Sequence, residues 1–567
     1  EAATDLTALV EAVREAAADL RIAPQPSPWL PPLPGAVGLH ELPHRPDPAD
    51  GRLAPVPWAL ADLPGIQRQE PLELDFSRFG HLYIIGTPRS GRSQALRTIA
   101  GALARRHSSA DVHLYGIDAA GGALAALTAL PNCGAVVPRA DMERLNRLLA
   151  RLLAEMGSRQ ELLTAHGVAD LAELRTLLPA AERPAHLVVL IDGWDSLTAL
   201  LADHDGGRPV QELTALIREG APMGVHVIAT SERALLSGKV ASLNDERLLL
   251  RLTDRSEYML AQIPSKQIPA VVPPGRGWRG GNGTEVQVAL LGEATGALPT
   301  GRDQAAALGR IGAEAARRDK DVPAARRPTK VLSLPRQVSF TEAYEKVPAA
   351  LRRPLWGLLG IGGDDLGPVG VDFASDAPSF LISGPPGAGR STALASLAVS
   401  LLAGGTRVVA ITPRESPLRG LRRHPQAVVL EAPDPMADEV REALAAGDGP
   451  AVLLVDDADL LAQMPSADSV LREIAATGRD RGLGLAAAAT AETLTSAGIG
   501  WLGQVRRVRK GVLLSPQSPG EGDLLGVRIP YDLLRGRPTP GRGLTVDPVT
   551  GALVSVLVPE TVLRSGG

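Results

Sequence analysis

The sequence predicts an α/β protein: two tandem domains with parallel-rich central sheets, preceded by an extended Pro-rich segment. Three observations carry this reading. Short apolar runs alternate with Ala/Leu-rich helical stretches. A Gly-rich turn of one spacing occurs twice, and the landmarks around it recur in the same order. The chain's 567 residues, 44% hydrophobic and 22% charged, can bury sizeable cores. The pattern divides the chain into residues 1–57 (N-terminal helix and Pro-rich extended linker), 58–300 (first domain), 301–340 (helical and basic linker) and 341–567 (second domain).

Residues 4–20 read as helix and 23–57 as an extended Pro-rich stretch that includes Trp29-Leu30-Pro31-Pro32-Leu33. The first copy then runs Leu74-Asp75-Phe76, His81-Leu82-Tyr83-Ile84-Ile85, a turn from Gly86, and helix over 94–105. The second runs Val371-Asp372-Phe373, Phe380-Leu381-Ile382, a turn from Gly384, and helix over 392–403. Apolar runs ending in acids follow, Leu187–Asp192 and Val452–Asp456, which lie 106 and 72 residues beyond Gly86 and Gly384. Runs ending in Thr230 and Thr490 come next. Pro274-Gly275-Arg276-Gly277 recurs as Pro540-Gly541-Arg542-Gly543, each ahead of an alternating strand, Val286–Val288 and Val554–Val556. The Pro/Arg-rich stretch 322–336 reads as an exposed linker.

Composition excludes several classes. The formal net charge of −4 argues against a uniformly basic nucleic-acid coat protein, although a local basic channel is compatible with it. A single cysteine, Cys133, excludes disulfide scaffolds and multi-Cys metal sites and points to a reducing compartment. Only six of the 59 basic residues are lysine, and five Phe, six Trp and five Tyr leave few platforms for stacked bases. No apolar run reaches the ~18 residues that span a bilayer. Glu1 in place of Met suggests a piece of a longer chain.

Each turn has the spacing G-x-x-x-x-G-R-S: Gly86, Thr87, Pro88, Arg89, Ser90, Gly91, Arg92 and Ser93, and Gly384, Pro385, Pro386, Gly387, Ala388, Gly389, Arg390 and Ser391, with Thr392 next. Between a strand and a helix such a turn cradles phosphate with its amides, and the hydroxyl after the basic residue can ligate Mg²⁺. The later strand acid completes the metal site. Ser93 with Asp192, and Ser391 with Asp456, are therefore the Mg²⁺ candidates. Arg92 and Arg390 stand where a compact lysine suits the β/γ-phosphates, so retained binding with impaired hydrolysis is expected. Gly193 after Asp192 offers no base, and Asp457 after Asp456 offers a short one. The catalytic candidates are thus Asp456, a weak Asp457 and an inactive Asp192. Thr230 and Thr490 are candidate γ-phosphate sensors; Arg247, Arg251, Arg255, Arg506, Arg507 and Arg509 are candidate arginine fingers. The histidines show no metal-ligand spacing.

These loops, strand acids and the repeated Pro-Gly-Arg-Gly resemble the FtsK/SpoIIIE ATPases, a hexameric branch of the P-loop motors. The tandem copies, the Trp29–Leu33 run and the stretch Gly116-Ile117-Asp118 through Leu130-Pro131 to Val137 look like the second and third ATPase modules of the type VII secretion ATPases EccC/EssC. The resemblance implies two RecA-like P-loop NTPase (FtsK/HerA-type) domains and the cofactors ATP and Mg²⁺. It also implies homo-hexamer formation and a cytoplasmic position below the membrane, with an upstream ATPase module and membrane anchor. The implied partners are small helical secreted proteins bearing a C-terminal signal, held in an apolar groove. The second copy departs from the usual third module at Gly362-Gly363-Asp364-Asp365-Leu366 and in its short core. Two alternatives follow from the same likeness: a DNA translocase subunit, less favoured by the charge balance, and a nucleotide-bound assembly scaffold.

Overall fold

The computed structural model describes residues 4–23, 30–202, 204–292, 298–374, 378–462, 466–534, 539–548 and 550–563. Trp29 lies outside the described residues. The chain divides into two compact units: Glu1–Asn132, Gln160–Ser196 and Leu216–Arg327 form the first, and Cys133–Arg159, Leu197–Ala215 and Pro328–Gly567 the second.

Apolar runs without alternation can be covered on both faces only inside a sheet flanked by helices. That is where they fall. The first sheet contains β1 (Val56–Leu63), β2 (Arg68–Leu74), β3 (Leu82–Ile85), β4 (Val112–Asp118), β5 (Cys133–Pro138), β6 (His186–Asp192), β7 (Val225–Ser231), β8 (Arg247–Leu249), β9 (Arg276–Arg279) and β10 (Glu285–Val288). Their order is β2-β1-β10-β9-β8-β3-β7-β6-β4-β5. Strands β8, β3, β7, β6 and β4 are mutually parallel; β2, β1, β10 and β9 extend the sheet antiparallel.

The second sheet contains β11 (Trp356–Gly362), β12 (Gly367–Asp372), β13 (Ser379–Ser383), β14 (Arg407–Ile411), β15 (Ala427–Leu430), β16 (Ala451–Val455), β17 (Leu483–Ala489), β18 (Gly511–Leu514), β19 (Arg542–Val546) and β20 (Leu553–Leu557). Its order, β12-β11-β20-β19-β18-β13-β17-β16-β14-β15, repeats the first strand for strand. Successive residues of β13 serve opposite faces, as the pleat requires. Phe380 and Ile382 pack with Leu394, Leu397 and Leu401 of the helix Arg390–Ala403. Leu381 packs on the other side with Ile474 and Trp501.

The lead-in segments repeat as well. Buried Arg276 donates to the carbonyls of Leu33 (2.8 Å) and Pro34 (2.9 Å). Its counterpart Arg542 donates to Leu334 (3.0 Å) and Pro335 (3.3 Å). Residues 301–340, expected to form a linker, split between two roles. The helix Gly301–Arg318 buries Leu308 and Ile311 in the first unit. Val331, expected to be exposed, is fully buried, and residues 334–335 form the second unit's lead-in. The helix Asp5–Asp19, capped by the Thr4 side chain, buries none of its residues. Among the described residues no helix is long and apolar enough to cross a membrane.

Candidate functional site

In the first unit the turn leaves β3 at the sheet centre. The Gly86 amide donates to Ser231 O (3.1 Å) and the Thr87 amide to Arg251 O (2.9 Å). The Arg251 guanidinium returns a bond to Pro88 O (3.1 Å). Arg89 sits at φ 62°, a left-handed conformation that costs a residue with a Cβ roughly 1–2 kcal/mol; glycine, Gly387, holds the matching place in the second loop. Gly91 has φ 110°, and a Cβ there would stand 2.9 Å from the Gly275 amide. That amide donates to Ser90 O (2.8 Å), as the Gly541 amide does to Ala388 O (2.9 Å). The recurrent Pro-Gly-Arg-Gly segments thus buttress the two turns. Beyond each turn, the helices Arg92–Arg106 and Arg390–Ala403 present Ser93, Ser391 and Thr392 in a first turn whose amides lack intrahelical acceptors.

Asp192 is 1% exposed. The Thr230 hydroxyl donates to its Oδ1 (2.7 Å) and accepts the Gly193 amide (2.8 Å). Asp192 Oδ2 is buried without a partner among the described residues, which suits a hard cation. Asp456, equally buried, accepts the Ser416 hydroxyl (2.6 Å) and the Asp457 amide (3.0 Å). Burial, with help from neighbouring Asp456, raises the Asp457 carboxyl above the usual range.

Each loop arginine lies on carboxylates of its own unit. Arg92 reaches Glu232 (3.1 Å). Arg390 lies 3.5 Å from Asp457 and from Asp459 and donates to Gly384 O (3.2 Å). Asp459 also accepts the Thr490 amide (3.0 Å) and hydroxyl (2.6 Å). Burial, the largest influence, pushes its carboxyl up, but the Thr490 and Thr493 bonds outweigh it and leave it lowered. Asp195 occupies the matching position and accepts the Glu232 (2.8 Å), Arg233 (3.2 Å) and Ala234 (2.9 Å) amides.

Register separates the two threonines. The Gly86 and Gly384 amides donate to Ser231 O and Ala489 O, which makes those residues equivalent. Thr490 therefore matches Glu232, and Thr230 lies two residues earlier, inside β7. Among the finger candidates, Arg247 donates to Ala241 O (2.7 Å), Arg251 to Pro88 O, and Arg255 to Pro269 O (2.9 Å). Arg506 donates to Thr495 O (2.7 Å) and Ala497 O (3.0 Å). The sequence reading missed Glu232, Asp195, Asp459 and Ser416. Their acidic and hydroxyl character was visible, but their partners lie 31 to 140 residues away in the chain.

Beside the first turn a cavity of about 230 Å³ is lined by Gly91, Gly275, Val288, Leu290, Leu298 and Gln304, among others. Gln304 Oε1 accepts the Leu291 amide (2.9 Å) and the Gln94 side chain (2.6 Å). This fixes its amide nitrogen as a donor, buried without a partner among the described residues. Phosphate cradle, unpaired carboxylate oxygen and adjoining apolar cavity together fit a Mg²⁺-bound nucleotide.

Residues 53–276 match the FtsK/SpoIIIE family. The chain carries an FtsK/SpoIIIE-family domain. It is 30% identical over 555 residues to the ESX-4 secretion system protein EccC4 of Mycobacterium tuberculosis, covering 92% of this chain and 42% of that protein. The chain thus spans less than half of that relative's length. Among solved structures, Thermomonospora curvata EccC (ATPases 2 and 3), in complex with a signal sequence peptide, matches with a TM-score of 0.58 at 25% identity. That match covers 94% of this chain and 99% of the other. EssC (ATPases 2 and 3) from Geobacillus thermodenitrificans shares the fold, with a TM-score of 0.69 at 18% identity, over 94% of this chain and all of the other. Gly86–Ser93 lie within the matched residues, and the second sheet repeats the strand order of the first.

Proposed function

We propose that the chain supplies two nucleotide-binding ATPase modules of a type VII (ESX-like) secretion ATPase, with weakly hydrolysing sites that regulate or receive secreted proteins. The observation that carries this is the state of the two cradles. Each keeps an intact phosphate turn, yet its loop arginine lies on a carboxylate, and the water-activating position holds Gly193 or an arginine-paired Asp457. Bound Mg-ATP would rest on residues 86–93 and 384–392, with Ser93 and Asp192, and Ser391 and Asp456, around the cation. There Mg²⁺ supplies charge neutralisation to the β/γ-phosphates. Thr230 and Thr490 orient the acids Asp192 and Asp459. The likeness to EccC, whose ATPases 2 and 3 are seen in complex with a signal sequence peptide, supports such a peptide as partner; the finer reading is the C-terminal signal of a small helical secreted protein, taken up by the second unit. The same proposal includes hexamer formation and a cytoplasmic position beneath membrane-anchored machinery.

One observation favours a DNA translocase as second reading. A cleft of about 1140 Å³ in the second unit is lined by Arg506, Arg507, Arg509 and Arg528 against Asp523, so the net charge of the chain does not describe it. Calorimetry with Mg-ATP, and polarisation with a signal peptide and a DNA duplex, decide the matter. Expected are nucleotide heats with turnover near background, and peptide binding that is insensitive to salt. Absence of nucleotide binding at millimolar ATP sinks the proposal. Tight duplex binding that falls about 10³–10⁵-fold between 50 and 200 mM salt, beside an inert peptide, installs the second reading.

A further inference from the structure

The acids that hold the two loop arginines come from different places. Glu232 follows β7, where the second unit has Thr490; Asp457 follows β16, where the first unit has Gly193. Each unit has thus acquired, at a position the other does not use, a carboxylate within reach of its loop arginine. The guanidinium is not fully satisfied in either case. Arg92 Nη1 is buried without a partner among the described residues, and Arg390 spans two acids at 3.5 Å, beyond a strong hydrogen bond. A phosphate offers such a fork a better-matched, bidentate acceptor.

We infer that nucleotide arrival moves each loop arginine from carboxylate to phosphate, so that Glu232 in the first unit and Asp457 with Asp459 in the second set the affinity of their own cradles. The inference rests on the nucleotide reading of the cradles given above. Glu232 and Asp459 act as positioning residues through the arginine. Asp457 does more, because the exchange removes its cationic partner just as phosphate arrives. In the second unit the carboxylate immediately after the strand acid is therefore tied up while the cradle is empty and released when it is filled. The first unit, with Gly193, releases nothing.

The test uses the full chain in calorimetric titrations with Mg-ADP and Mg-ATP, with thermal melting as the fold control. Glu232→Gln keeps shape on a residue whose side chain is 57% exposed, and Asp457→Asn keeps a residue type that tolerates φ 45°. Each is expected to tighten one of the two dissociation constants about two- to fivefold, the range set by a partly exposed ion pair. The gain should vanish in an Arg92→Gln or Arg390→Gln background, a dependence that loss of a merely structural contact does not produce. Binding that appears in Glu232→Gln where the wild type shows none also supports the exchange. Unchanged or weakened binding in both variants, with wild-type binding intact, overturns the exchange and leaves the cradle reading standing. If wild type and both variants are all inert at millimolar nucleotide, the cradle reading fails and takes the exchange with it.

Discussion

At Gly193 the backbone has φ 88°, and at its counterpart Asp457 φ 45°, so the position after the strand acid is left-handed in both units. A side chain at Gly193 would start 3.2 Å from the Ala120 Cβ. The missing base is therefore a conformational matter as well as a chemical one. Gly193→Ala is expected to destabilise the first unit by roughly 1–2 kcal/mol, read as a lowered melting temperature of that unit, whereas Gly387→Ala should do the same in the second. An unchanged melt for Gly193→Ala would show that the turn relaxes. The sequence made the two loops, the two acids and the arginines legible because their spacing is local. It did not separate Thr230 from Thr490, since equivalence there depends on which carbonyl receives the Gly86 or Gly384 amide, a property of strand register.

Among the elements, the parallel strands were readable as unbroken apolar runs, and the helices after the turns began two residues before their expected starts. The helix Arg390–Ala403 is buried on nearly every side, so no polar face announced it. The antiparallel edge was harder to read. Strands β1–β2 and β11–β12 are hairpins with only partly buried outer members, and sequence alone did not mark them. Least legible was the role of Arg276 and Arg542, which lies in carbonyls about 240 and 210 residues earlier. Each stitches a Pro-rich lead-in to the segment that buttresses the phosphate turn. Arg276 also pairs with Glu285 (2.5 Å) and Gln287 (3.0 Å). Arg276→Ala strands buried acceptors and a carboxylate, and is expected to cost about 2–4 kcal/mol. Limited proteolysis should then cut within residues 30–37 faster than in the wild type. Equal cutting rates would show that the lead-in holds without the arginine.

For the molecule as a whole, one topology is used twice with different interiors, and the difference predicts unequal acid stability. The first unit gathers histidines that are remote in sequence. The His81 ring accepts the Val227 amide (2.9 Å), and His107 bonds Ala54 O (3.0 Å). His186 Nδ1 and His226 Nε2 share a bond of 3.0 Å, with Phe76 stacked on His186 at 4.5 Å. Burial lowers both the His81 and His107 rings to about 4. The folded state then binds fewer protons than the unfolded chain between about pH 6.5 and 4, so stability is full above that window and falls as pH drops through it. Each ring contributes a loss of about 2 kcal/mol by pH 5 and about 3 kcal/mol below pH 4. Protonated His81 also ceases to accept the Val227 amide, which loosens the β3–β7 junction beneath the phosphate turn. The matching β13–β17 junction has Ser379 and Leu485 in that region and no histidine. Hydrogen exchange between pH 7 and 4.5, corrected for intrinsic rates, should show β3 and β7 losing protection before β13 and β17. Simultaneous loss, or loss in the second unit first, would show that the buried histidines do not control the acid response.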